Sequence, residues 1–252
     1  MNKNDPFFTV NFKFLITFER TKRQSNNFNW QVSENALDDE RIVGGIEAER
    51  HAYPWTVRLG VLIYHPLYQR GICDGTIICP KFVMTAWHCT GKTNPPKLRP
   101  ADQIRVLVGG HNQSGFPYYD LPEGKIHKVL KIHRHPKGVV DEVHQVWDYD
   151  FALLELKEPI QFEKGARPVF LPSASDIESM KPNTKLAVTG WGRTQTQLDW
   201  YCLGPCILRV ASLKYTPGRN CVQHYKPGSQ ICAGDWDPPP TGKTSCKGDS
   251  GG

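Results

Sequence analysis

The apolar positions of this 252-residue chain fall into short, recurring bursts rather than long helical stripes. From Ile42 onward, β-branched and aromatic residues cluster at 55–64, 76–85, 104–108, 125–133, 151–156, 185–189 and 207–215, with Gly, Pro or Asn between the clusters. Short apolar runs separated by turn formers are the pattern of strands in a sandwich or barrel. No stretch sustains the 3.6-residue period of an amphipathic helix, and no internal repeat of roughly 20–50 residues recurs. An all-β fold is therefore predicted.

The remaining segments set the predicted organisation. Residues 19–40 are polar and end acidic (Glu34, Asp38, Asp39, Glu40), as in a solvated arm. Within residues 7–18, Val10, Phe12, Phe14, Ile16 and Phe18 alternate with mostly polar residues. That stretch reads as a strand as well as a degenerate signal segment, because Asn11 and Lys13 interrupt it and no small-residue cleavage site follows. Residues 157–184, richer in Pro, Ser and Lys, read as a linker, and 235–242, with Pro238-Pro239-Pro240, as a surface loop. The expected units are an N-terminal arm at 1–41, a first β unit at 42–156, a linker at 157–184 and a second β unit at 185–252.

Composition narrows the function classes. Hydrophobic residues make up 39%, and 22 Gly with 20 Pro suit a turn-rich β chain. The net charge of +6 (31 Lys+Arg, 25 Asp+Glu) is scattered, and residues 1–41 hold six charges of each sign. No clustered basic patch marks a nucleic-acid partner. No apolar run approaches the ~18 residues of a membrane helix, and no membrane partner is expected. Eight cysteines (Cys73, Cys79, Cys89, Cys202, Cys206, Cys221, Cys232, Cys246) form no CxxC pair. Cys202 and Cys206 could offer two metal ligands, but no second pair completes a shell, so no metal is expected. Disulfides in an oxidising, extracellular compartment account better for the count. Asn112-Gln113-Ser114 is an acceptor sequence for N-glycosylation.

Five motifs carry the chemistry. In order they are Arg41-Ile42-Val43-Gly44-Gly45, Thr85-Ala86-Trp87-His88-Cys89, Asp148-Tyr149-Asp150-Phe151-Ala152-Leu153-Leu154, Gly190-Trp191-Gly192, and Cys246-Lys247-Gly248-Asp249-Ser250-Gly251-Gly252. A serine hydroxyl is a poor nucleophile until a neighbouring base takes its proton, and imidazole titrates near neutral pH. A carboxylate is then needed to hold the imidazole in one tautomer and to stabilise the imidazolium. The five motifs in this order resemble the trypsin/chymotrypsin-like serine proteases over residues 41–252.

The resemblance implies two six-stranded antiparallel Greek-key barrels with the active site between them, the second incomplete at Gly252. It implies Ser250 as nucleophile, His88 as general acid/base and Asp150 as orienting carboxylate. Asp148 competes for that last role. In an extended segment both aspartates face one way, so periodicity does not separate them, and the resemblance selects Asp150, which is followed by an apolar residue and Ala-Leu-Leu. Backbone N–H groups of Gly248 and Ser250 are implied as the oxyanion hole. Trp87 departs from the family, which carries a small residue before the histidine.

The resemblance also pairs Cys73 with Cys89 and Cys221 with Cys232, and gives Cys246 a partner beyond residue 252. Cys79, Cys202 and Cys206 are left unassigned, with a local Cys202–Cys206 bridge one option. The family's calcium-loop glutamate is replaced by Gly110, and no cofactor is expected. Cleavage after Arg41 is expected to free the Ile42 amine to pair with Asp249. Residues 1–41 contain no cysteine, and Phe170 stands where some relatives tether the propeptide, so the arm is expected to dissociate. Thr244 occupies the position, six before the nucleophile, where enzymes cleaving after Lys or Arg carry aspartate; a neutral, apolar preference follows. A member of the family continues for about 45 residues past Gly252, so the 252 residues alone are expected to be weakly folded and inactive. The expected partners are protein or peptide substrates, an activating protease acting at Arg41, and protein inhibitors. The competing expectation is a truncated, non-catalytic protease-like binding or scaffold protein.

Overall fold

The computed structural model describes residues 8–11, 45–62, 69–93, 96–114, 116, 123–141, 146–192, 205–217, 230–234 and 250–251. Its strands are β1 (Phe8–Asn11), β2 (Ile46–Glu47), β3 (Thr56–Leu62), β4 (Gln69–Cys79), β5 (Phe82–Thr85), β6 (Gly91–Thr93), β7 (Pro96–Leu98), β8 (Ile104–Val108), β9 (Lys125–Arg134), β10 (Val139–Asp141), β11 (Val146–Asp148), β12 (Ala152–Leu156), β13 (Lys185–Gly190), β14 (Arg209–Thr216) and β15 (Gln230–Gly234). A short α-helix, α1 (Ala174–Glu178), follows Ser173, whose side chain and Asp176 cap each other's backbone N–H.

Six strands close into an antiparallel barrel in the order β12-β5-β4-β3-β8-β9. Alternation along each strand fills its interior: Val57 and Leu59 of β3, Ile77 of β4, Val83 of β5, Ile104, Val106 and Val108 of β8, Val129 of β9, and Leu154 and Leu156 of β12 form one buried cluster. Each such side chain contributes on the order of 1.5–3 kcal/mol by leaving water. Ile160 and Ala166, from the stretch expected to be a linker, join the same cluster.

The apolar run at 76–85 is not one strand. It is split by the turn at Pro80-Lys81, after which β5 returns along β4. Pro80 has no N–H to donate to a ladder, so the chain reverses there.

A second sheet has the order β1-β15-β14-β13, with β2 added to β14. Leu186, Val188, Ala211, Leu213, Ile231 and Ala233 bury one face of it, with Ile177 and Met180 packed alongside. Phe8–Asn11 form β1, which pairs antiparallel with β15 from Phe8↔Ala233 to Asn11↔Gln230; the rest of the alternating stretch lies outside the described residues.

Where the two sheets meet, the period-2 rule explains why β3 is buried from Thr56 to Val61. Odd positions enter the barrel core, whereas Thr56 and Arg58 face the second unit. There the hydroxyls of Thr56 and Thr189 lie 2.8 Å apart, and Arg58 Nη1 donates to Asp74 Oδ1 across the strand pair at 2.8 Å.

Candidate active site

His88 sits in a single 3-10 turn, Trp87–Cys89, directly after β5. Two ties fix that turn. The Trp87 N–H donates to the Asp150 carbonyl (3.2 Å). Cys89 is joined by a disulfide to Cys73 on β4, with Cα atoms 6.0 Å apart. This observed bridge spans 16 positions, and a loop of that size contributes about 3 kcal/mol in the chain-entropy account.

Asp150 is 2% exposed, and both its oxygens are turned to the same residue. Oδ1 accepts the His88 main-chain N–H at 2.8 Å, and Oδ2 lies 3.1 Å from His88 Nδ1. An ionised carboxylate only accepts, so Nδ1 carries a proton, and in the neutral imidazole Nε2 then keeps its lone pair.

The segment holding Asp148 and Asp150 is not extended, and of the two it is Asp150 that contacts His88. Tyr149 adopts φ 44° and the Phe151 N–H donates to the Tyr149 carbonyl at 2.8 Å, a tight turn centred on Asp150. The two carboxylates therefore do not share a face. Asp148 Oδ1 accepts the Tyr149 N–H (3.0 Å), while the Tyr149 ring stacks on His135 at 4.7 Å.

Ser250 lies against the barrel on the same side. Its carbonyl accepts the Asp74 N–H at 2.9 Å, and the Gly251 carbonyl lies 3.4 Å from Thr76 Oγ1. Thr85, three residues before His88, donates its hydroxyl to the Asp74 carbonyl at 2.8 Å. Asp74 thus touches both the serine turn and the strand that leads into the histidine turn. Among the described residues, no hydrogen bond joins the Ser250 hydroxyl to the His88 ring. Catalytic hydrogen bonds are often loose before substrate binds.

Trp87 is housed by a residue that sequence reading did not single out. Gly138 has no side chain where Trp87 lies; a Cβ there would come within 2.5 Å of Trp87 Cδ1. Arg134 lies over the ring, its guanidinium carbon 5.5 Å from the centroid. The same guanidinium donates to Thr90 Oγ1 (2.9 Å) and to the carbonyls of Thr90 and Arg99. The bulky indole is buried and its position is fixed from above.

Cys73, His88 and Cys89 bring one nitrogen and two sulfurs within 4.8 Å of one another. The sulfurs are bonded to each other, so neither is a thiolate ligand. Near Gly110, Glu123 accepts from Arg50 Nη1 at 2.7 Å and from the N–H groups of His111 and Asn112 at 3.3 Å. Burial acts to raise the Glu123 pKa, but these donors outweigh it and hold the carboxyl below its usual range.

Of the other expected site residues, Arg41, Ile42, Thr244, Gly248, Asp249 and Cys221 lie outside the described residues, as do Cys202 and Cys246. Cys206 and Cys232 are disulfide-bonded to partners outside them, and Cys79 is free and half-buried.

The family model described as Trypsin matches residues 42–252. Among curated relatives, Trypsin 5G1 of Aedes aegypti is 35% identical over 227 residues, an alignment covering 86% of this chain and 72% of that protein.

Proposed function

Because this chain belongs to the trypsin family, we propose that it is a secreted serine endopeptidase made as a zymogen, acting through His88, Asp150 and Ser250. The observation that carries the reading is the double engagement of His88 by Asp150, at its main chain and at Nδ1. With Nδ1 donating to a buried carboxylate, Nε2 takes the proton of Ser250 Oγ as the hydroxyl attacks the scissile carbonyl. The imidazolium so formed stays paired with Asp150. It returns the proton to the leaving amine, and the acyl-enzyme is then cleared by water activated at the same nitrogen.

Gly248 and Ser250 N–H groups supply the oxyanion hole, where each donor is worth ~10²–10³ in rate. Cleavage after Arg41 releases the Ile42 amine to pair with Asp249 and order that turn. Thr244 offers a substrate guanidinium or ammonium no counter-charge. Burying an unpaired ion costs several kcal/mol, so aromatic or aliphatic side chains are preferred before the scissile bond. The oxidised state of Cys73, Cys89, Cys206 and Cys232 supports passage through an oxidising compartment.

The test is active-site labelling. The protein, expressed to its natural C-terminus and cleaved after Arg41, is incubated with a fluorophosphonate probe. Rapid labelling that disappears in Ser250→Ala and drops steeply in His88→Ala supports the proposal. Equal labelling of Ser250→Ala would sink it. Peptide-library cleavage mainly after Arg or Lys would overturn the specificity reading alone.

A further inference from the structure

We infer that Asp74, charge-balanced by Arg58, is a positioning residue for the nucleophile turn; the inference rests on the protease reading above. Asp74 is wholly buried and Arg58 is 2% exposed, yet neither belongs to the barrel core. They stand opposite each other on β3 and β4, on the outer face that the second unit covers.

One residue makes contacts in four directions. The Asp74 N–H holds the Ser250 carbonyl (2.9 Å). Its own carbonyl takes the Thr85 hydroxyl (2.8 Å), three residues from His88. Oδ1 takes Arg58 Nη1 (2.8 Å), and Oδ2 takes the Trp191 N–H (3.0 Å), which belongs to the second sheet's Gly190-Trp191-Gly192 segment. Trp191 is itself 1% exposed, and its indole N–H donates to the His111 carbonyl (3.2 Å).

A carboxylate at this point does work that a main-chain contact alone does not. It ties the second sheet to the strand that grips Ser250, so the two halves that supply base and nucleophile are indexed to one another. A buried carboxylate that satisfied only Trp191 would be an uncompensated charge, and Arg58 removes that penalty. The pair is thus kept for geometry, because two well-packed apolar residues would serve stability equally well.

The discriminating protein is the double variant Arg58→Met/Asp74→Leu, which removes both charges and the Trp191 anchor together. In the protein cleaved after Arg41, its melting midpoint is expected to stay close to that of the parent. Its fluorophosphonate labelling rate should fall by about tenfold or more, towards the ~10²-fold that a full 1 Å displacement of a reacting group costs. Affinity for a reversible peptide aldehyde should fall in step, while KM for a slow amide substrate holds. Amide exchange at Trp191 should quicken with no change at Ala152–Leu156. Parent-like labelling and exchange in a folded double variant would overturn the inference.

If the double variant does not fold, Asp74→Glu decides. It keeps the charge and shifts the carboxylate by one methylene, so slowed labelling supports positioning and a parent-like rate overturns it. Should the parent itself resist labelling, the protease reading fails. The Trp191 exchange comparison between parent and Asp74→Glu then judges the clamp independently.

Discussion

Replacing Gly251 with alanine isolates the contact between the nucleophile turn and the barrel. Gly251 has φ 91°, and a Cβ there would overlap the Asp74 carbonyl oxygen and Thr85 Oγ1 and lie 3.0 Å from Ala86 N. The backbone conformation alone costs an L-residue about 1–2 kcal/mol. The overlap is with main chain on β4, which is held on both sides by the closed barrel, so the Ser250–Gly251 turn is the part that yields. It must move by roughly 1 Å to restore ordinary contact distances. Such a shift breaks the Asp74–Ser250 bond and carries Oγ away from His88. With about 1–3 kcal/mol of overpacking included, the total loss of stability is about 2–5 kcal/mol. Misplacement of the nucleophile by that distance lowers the rate about 10²-fold. Urea unfolding and fluorophosphonate labelling read the two effects separately. Labelling at the parental rate in Gly251→Ala would refute the reasoning, because it would mean that the barrel contact does not set the position of Ser250.

Four further outcomes are expected. Asp150→Asn should lower kcat by about 10⁴-fold, as a wrong histidine tautomer does, with the melting midpoint little changed. Cys73→Ser with Cys89→Ser should lose about 3 kcal/mol in denaturant unfolding under oxidising conditions. Burial pushes the pKa of His127 down, against a main-chain hydrogen bond with Glu158 that acts to raise it. Its stabilising contribution is therefore complete above about pH 6.5 and is lost as the pH falls from there through the depressed folded value; His127→Leu should flatten melting midpoint against pH across that window, with His111 leaving a residual slope. Gly138→Ala should cost about 1–3 kcal/mol by displacing Trp87, and Trp87→Ala in the same chain should remove that increment, a coupling measurable by a double-mutant cycle.

What the sequence disclosed and what it withheld divide along physical lines. The contact between His88 and Asp150 was legible because each lies in a motif whose neighbours share its constraint. Choosing between Asp148 and Asp150 by alternation failed because Tyr149 leaves the extended region, and period-2 reasoning holds only within a strand. The break at Pro80 was visible in composition, yet the apolar content on both sides masked it. Arg58 and Asp74 gave no signal at all. Each is an isolated charge in a strand, and only the β3–β4 register and the covering second unit make them a buried pair. Gly138 was silent for a related reason: it is 51 positions from Trp87, and a missing side chain has meaning only beside the one that fills its space.

If cleavage after Arg41 activates the protein, as proposed above, the strand formed by Phe8–Asn11 changes what that activation means. A tail that merely dangles leaves once its peptide bond is cut. This one lies upstream of Arg41 and is stitched into the ladder of β15, so on the proposed cleavage hydrolysis and departure would be two events with separate clocks. The first would be set by the activating protease. The second is an unzipping, governed by four backbone pairings and quickened by heat or denaturant. Between them lies a nicked species, chemically processed but still wearing its arm. A burst of cleavage would then be followed by a lag in any property that depends on the bare edge of β15.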